Sequence, residues 1–199
     1  MIGDARKALL AIGGLLVLVW SVQVVNWESG YGLARDYAVV PGDTGRLPDI
    51  LAAPFLHWSW THIQGNSGPL FVFGLLAAYR GTARFLGLTL LVAVASGLAV
   101  WFFERAGAGT VGASGLVYGY FGYVVVRGFL DRRPVDSVVG VVIAAAYACA
   151  LHPGGPGASC VSWSAHLGGL AGGVVGAWAF RDAFCDAFRH GERAAHARS

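Results

Sequence analysis

The run AGAGTVGASGLVYGYFGYVVV, residues 106–126, lies between Arg105 and Arg127 and holds no charged side chain. It opens glycine-rich and continues apolar. A helix that crosses a bilayer needs about 20 mostly apolar residues, and this run has the length. Similar runs flank it. Residues 85–103 lie between Arg84 and Glu104, residues 50–79 between Asp49 and Arg80, and residues 8–27 between Lys7 and Glu28. Downstream, residues 137–180 lie between Asp136 and Arg181. The stretch His152-Pro153-Gly154-Gly155-Pro156-Gly157 breaks this last run in two. The pattern predicts an all-α membrane bundle of six helices, near 8–26, 62–80, 85–103, 112–129, 137–151 and 163–181.

Composition agrees. Of 199 residues, 56% are hydrophobic and 13% charged, against about 25% charged in an ordinary soluble domain. A chain this small cannot hide that much apolar surface in one core, which weighs against a soluble enzyme and excludes intrinsic disorder. Three cysteines, Cys149, Cys160 and Cys185, with no CxxC spacing, exclude a disulfide scaffold. Arg6 and Lys7 precede an apolar stretch that is long for a secretory signal and has no clean small-x-small cleavage site, so residues 8–26 read as a span. One domain over 1–199 is expected, ending in a basic tail, 182–199.

Lysine and arginine set the orientation. The amino terminus, loops 2 and 4 and the tail carry 11 of them; loops 1, 3 and 5 carry Arg35, Arg46 and Arg105. Both termini are expected in the cytoplasm, in a bacterial inner membrane. The net charge of +3 is mostly this topology signal and calls for no nucleic-acid partner. Loop 1, about 28–61, mixes Tyr31, Tyr37, Phe55, Trp58 and Trp60 with Asp36, Asp43 and Asp49. Part of it is expected in the outer headgroup zone, although an ordinary aromatic belt accounts for Trp58 and Trp60 equally well.

Polar side chains inside a bilayer are expensive and tend to be functional. Those within the spans include His62, Gln64 and Asn66, Ser114 and Tyr118, and Ser164 and His166. Counted up from Arg80, Asp131 and Arg181, the residues Asn66, Ser114 and His166 lie roughly 21, 25 and 22 Å above the cytoplasmic ends of their helices. Three helices thus bring polar groups to one level, with His62 just above. A serine needs a base to take its proton, and neutral imidazole is the usual one. The faces Gly115-x-x-x-Gly119 and Gly169-x-x-x-Gly173 favour close approach of the two helices. His62 and Asn66, at i and i+4, share a face and could both donate to an oxyanion, with the Ser114 N–H as a third donor. The loop 106–113 would then dip into the protein, which irregular backbone tolerates only where it lines protein or a wet cavity.

Each residue also has a plainer reading. A lone membrane histidine more often packs or bridges helices, and a membrane serine more often bonds its own helix backbone. Other chemistries fit worse. HExxH is absent, no span holds paired carboxylates, and His57 and His62 lack companions at metal spacing. No metal or cofactor is expected. A hydrolase built this way would be a dyad, since no acid lies at that level.

Three segments carry a resemblance: Phe55-Leu56-His57-Trp58-Ser59-Trp60-Thr61-His62-Ile63-Gln64-Gly65-Asn66, Gly112-Ala113-Ser114-Gly115-Leu116-Val117-Tyr118-Gly119-Tyr120 and Ala165-His166-Leu167-Gly168-Gly169-Leu170-Ala171-Gly172-Gly173. In order, spacing and topology the chain resembles the rhomboid intramembrane serine proteases over about 8–181. The resemblance implies Ser114 as nucleophile, His166 as general base, and His62 and Asn66 as oxyanion donors. It implies that Tyr118 stacks on the imidazole and that Gly112, Gly115, Gly169 and Gly173 support the site. It also implies gating by residues 137–151 and 152–162, and substrates that are transmembrane helices cut near small residues. The Trp-Arg pair of many rhomboids is absent from loop 1, which puts the stability of that loop in question. Two alternatives remain: a catalytically silent rhomboid-like protein that escorts membrane clients, and a small channel or transporter.

Overall fold

The computed structural model describes residues 2–105, 107, 109–130, 138, 141, 142, 145 and 162–180. Most of the fifth expected helix, the loop 152–161, the tail 182–199, Asp131, Arg181 and all three cysteines lie outside the described residues. Among the described residues these α-helices have set bounds: α1 (Ile2–Glu28), α2 (Gly32–Tyr37), α3 (Trp60–Ala78), α4 (Thr82–Phe103), α5 (Ser114–Leu130) and α6 (Trp163–Ala179), with 3-10 turns over Thr44–Leu51 and Ala53–Phe55. Among the described residues α1 and α4 are long and apolar enough to cross a membrane. The helices α3, α5 and α6 are shorter or more polar.

Local chemistry sets the boundaries. Helix α3 starts two residues before the expected His62 because Ser59 caps it, accepting the His62 N–H at 3.1 Å. Helix α1 runs past Lys7 and Arg6 to Ile2, because charges in the first turns of a helix do not stop it when they can reach polar surroundings. Helix α6 is capped by Ser162, which accepts the Ala165 N–H at 3.1 Å.

Packing centres on α6, which lies against both α5 and α4. Its doubled glycines explain how. A Cβ on Gly169 would sit 2.1 Å from the Gly115 carbonyl oxygen, and one on Gly173 would sit 1.9 Å from the Gly119 oxygen. On the adjoining face, a Cβ on Gly168 would meet Ala99 at 2.4 Å and one on Gly172 would meet Ala95 at 2.8 Å. The pair 169/173 therefore serves α5, while 168/172 serves α4. Ser96 on α4 completes the junction, donating to the Ala165 carbonyl at 3.0 Å. At the other end Arg127, 1% exposed, donates to the Phe180 carbonyl at 2.7 Å. The arginine counted as a loop charge is thus a buried cap on the negative end of α6.

Loop 1 is a folded unit with its own apolar core. Ala34, Ala38, Val39, Ile50, Ala53 and Leu56 bury against Val100, Val111 and Ala165. Trp60 packs on Trp20 and Trp27 of α1, each with ring centroids 6.0 Å apart. Asn26, fully buried, donates to the His57 carbonyl at 2.8 Å and accepts the Ala34 N–H at 2.9 Å. Arg46 pairs with Asp49 and donates to the Arg35 and Ala38 carbonyls at 3.2 Å. These bonds hold the loop without the missing Trp-Arg pair.

Candidate active site

Ser114 is the first residue of α5. The helix's first hydrogen bond runs from the Val117 N–H to the Ala113 carbonyl, so the Ser114 N–H lies ahead of the ladder and is free to serve another acceptor. Ala113 offers no side-chain cap. The backbone before Ser114 is instead held by loop 1. Thr110 and Val39 exchange N–H···O bonds of 2.9 and 3.0 Å, the Gly112 N–H reaches the Ala53 carbonyl at 2.9 Å, and the Ala113 N–H reaches His57 Nε2 at 3.3 Å. The expected dip of loop 3 is thus secured from one side by three separate parts of loop 1.

His57 lacks companions at metal spacing. In the fold it is fully buried, and its Nε2 accepts a backbone N–H, which fixes the proton on Nδ1. Burial, with the neighbouring His62 adding to it, pushes its pKa down to about 3, so the ring stays neutral and keeps accepting. No sequence spacing could have revealed this, because its partner is main chain 56 residues away.

Gly112 has φ +133°, a conformation that costs a side-chain-bearing residue strain. It also lacks room: a Cβ there would lie 2.8 Å from His62 Cε1 and Nε2, and 3.8 Å from Asn66 Nδ2. His62 and Asn66 therefore converge two residues before Ser114. Asn66 is 6% exposed, and among the described residues its Nδ2 has no partner. A buried donor left unpaired is uncommon and costs roughly 1–3 kcal/mol.

His166 lies in the first turn of α6, 9% exposed. The Tyr118 ring stacks on its imidazole at 4.2 Å and 16°, and Trp163 meets it edge-on at 6.0 Å. Tyr118 is one turn along α5 from Ser114. Gly115 follows Ser114, and Gly169 is three residues after His166 on the touching faces. The His166 Nδ1 is buried without a partner, and no hydrogen bond joins His166 to Ser114 among the described residues. Catalytic hydrogen bonds are often long in an apo site and tighten when substrate binds. Of the sequence candidates, Ser114, His166, Tyr118, Gly115 and Gly169 meet at one junction; His62, Asn66 and Gly112 form the adjoining wall; Gly173 sits one turn farther along the α5–α6 contact.

Glu104 ends the charge-free run 85–103. It lies at the end of α4 and accepts from Ser162 Oγ and Ser164 Oγ, both at 2.5 Å, and from Thr110 Oγ1 at 3.4 Å. Among the described residues, no group of three or more His, Cys, Asp or Glu is arranged to hold a metal.

Residues 44–183 match the Rhomboid domain family model. The chain belongs to the rhomboid family. It is similar to an uncharacterized protein of Mycobacterium tuberculosis, 32% identical over 171 residues, covering 82% of this chain and 71% of that one. An uncharacterized protein of Mycobacterium leprae is 35% identical over 186 residues, 87% of this chain and 73% of that one. Rhomboid-like protein 11, chloroplastic, of Arabidopsis thaliana is 33% identical over 142 residues, 65% of this chain and 51% of that one. Rhomboid membership and the apolar helices make this a membrane protein.

Proposed function

We propose that this rhomboid is an intramembrane serine endopeptidase that hydrolyses peptide bonds in or near the transmembrane segments of other membrane proteins, with Ser114 and His166 as a dyad. The observation that carries the reading is the stack of Tyr118 on His166. It ties the imidazole to the helix that begins with the serine.

The Ser114 hydroxyl adds to the scissile carbonyl carbon as His166 takes its proton. The oxyanion meets His62, Asn66 Nδ2 and the Ser114 N–H, so the unpaired Asn66 donor gains its acceptor when charge develops. His166 returns the proton to the leaving nitrogen, the C–N bond breaks, and acyl-Ser114 remains. Water then adds with His166 as base, and Ser114 leaves with its proton restored. In the same reading the chain spans the inner membrane of a bacterium six times, with both termini cytoplasmic.

The test is a transmembrane reporter cleaved in proteoliposomes. Wild type should cut it, while Ser114→Ala and His166→Ala should not, at unchanged thermal stability. Equal cleavage by Ser114→Ala would refute the proposal, and reporter binding without cleavage by wild type would favour a silent escort.

A further inference from the structure

The two halves of the dyad sit on chain segments that no covalent neighbour relates. Ser114 follows loop 3; His166 stands in the first turn of α6. Glu104 bonds to both segments. Glu104 Oε1 accepts from Thr110, four residues before Ser114. Its Oε2 accepts from Ser162 and Ser164, which flank the start of α6. Ser162 is the cap of that helix, with its hydroxyl oxygen on the Ala165 N–H and its carbonyl on the His166 N–H at 3.3 Å. Thr110 is pinned from its other side by the paired bonds to Val39. The two serine bonds are short and charge-assisted, a class roughly twice as strong as neutral bonds, while the Thr110 bond is long at 3.4 Å; a carboxylate at a helix N-terminus also meets the positive end of the dipole.

We propose that Glu104 is a positioning residue, a carboxylate clamp that sets the separation of Ser114 and His166 by tying loop 3 to the first turn of α6. The inference rests on the dyad reading. Among the described residues Glu104 makes no hydrogen bond to Ser114 or His166; its bonds go to Thr110, Ser162 and Ser164. Glutamine has the same shape. Its oxygen can accept from the two serines and its amide can donate to the Thr110 hydroxyl, so Glu104→Gln should keep the clamp, while Glu104→Ala removes it.

The test uses the full chain in detergent and a fluorophosphonate at saturating concentration. It reads both the first-order rate of Ser114 acylation and its endpoint. The endpoint counts folded sites; the rate reports alignment in those sites. Glu104→Ala should acylate about 10- to 100-fold more slowly to the wild-type endpoint. Glu104→Gln should stay within about threefold of wild type, and Thr110→Val should fall between them. A second readout is independent of activity: the imidazole proton shift that His166 owes to the Tyr118 ring should move in Glu104→Ala and hold in Glu104→Gln. Three results would overturn the proposal: an unchanged rate in Glu104→Ala, a lowered endpoint at unchanged rate, or a Gln variant as slow as the Ala variant. Wild type that never labels would refute the dyad reading, and the clamp would then stand or fall on the His166 shift alone.

Discussion

A single methyl group at Gly169 should separate the base from the nucleophile. The Cβ of Gly169→Ala would lie 2.1 Å from the Gly115 carbonyl oxygen, 2.9 Å from its carbon and 3.1 Å from its Cα. All three atoms are helix backbone and cannot swing aside. Ordinary contact begins near 3.4 Å, so α6 must retreat from α5 by about 1.3 Å, more than the roughly 1 Å misplacement that can cost a hundredfold in rate. His166, three residues away on the same helix, moves with it, and the Tyr118 stack opens. Overpacking of this kind costs about 1–3 kcal/mol. The expected outcome is a fall of about 100-fold in fluorophosphonate labelling, with a lower unfolding midpoint and a loss of the His166 ring-current shift. Gly14→Ala is the control, since nothing lies within 4 Å of a Cβ there; it should label as wild type. A Gly169→Ala protein that labels at the wild-type rate would refute the claim that this contact sets the dyad.

Gly112→Ala combines a φ of +133° with a Cβ 2.8 Å from His62; cleavage should fall at least about tenfold, since backbone strain of about 1–3 kcal/mol and a displaced donor act together, as read in the reporter assay. Asn66→Ala should cut kcat about a hundredfold or more with KM little changed, while thermal stability holds or rises, because the variant deletes a buried donor that has no partner among the described residues. His57, neutral in the fold down to about pH 3, gains a proton on unfolding between that pH and its ordinary value near 6.5. It therefore makes stability fall as pH drops from about 6.5 toward 3, by about 1.4 kcal/mol per unit. His57→Gln, which keeps an acceptor for Ala113, should remove that one-proton slope. Denaturant unfolding at pH 6.5 and 4.5 should separate the two proteins by about 3 kcal/mol, and parallel pH dependences would show that His57 is not the buried group described.

Much of this architecture is written in the charges. Arg84 and Glu104 bracket α4 to within a few residues. The glycine faces 115/119 and 169/173 announce the α5–α6 contact, because only size at four-residue spacing is needed to see it. The companion face 168/172 was equally present in the sequence but has its partners, Ala95 and Ala99, on a helix with no glycine repeat facing it. Loop 1 was not legible. Its elements are six residues or fewer or are 3-10 turns, too short to show a period, and they fold against a core supplied by α4 and loop 3. The packing of Trp60 on Trp20 and Trp27 has no sequence signal either. His57 and Glu104 escaped for a shared reason. Their partners are a main-chain N–H and three hydroxyls, none of which carries a motif, and their sequence distance from those partners reaches 60 residues.

In the proposed dyad Ser114 is a nucleophile made reactive by His166. The most direct measurement is to treat wild type, Ser114→Ala and His166→Ala with a fluorophosphonate and map the adduct by mass spectrometry. A single adduct on the peptide that contains Ser114 is expected, in wild type only. An adduct on another serine, or undiminished labelling of Ser114 in His166→Ala, would contradict it.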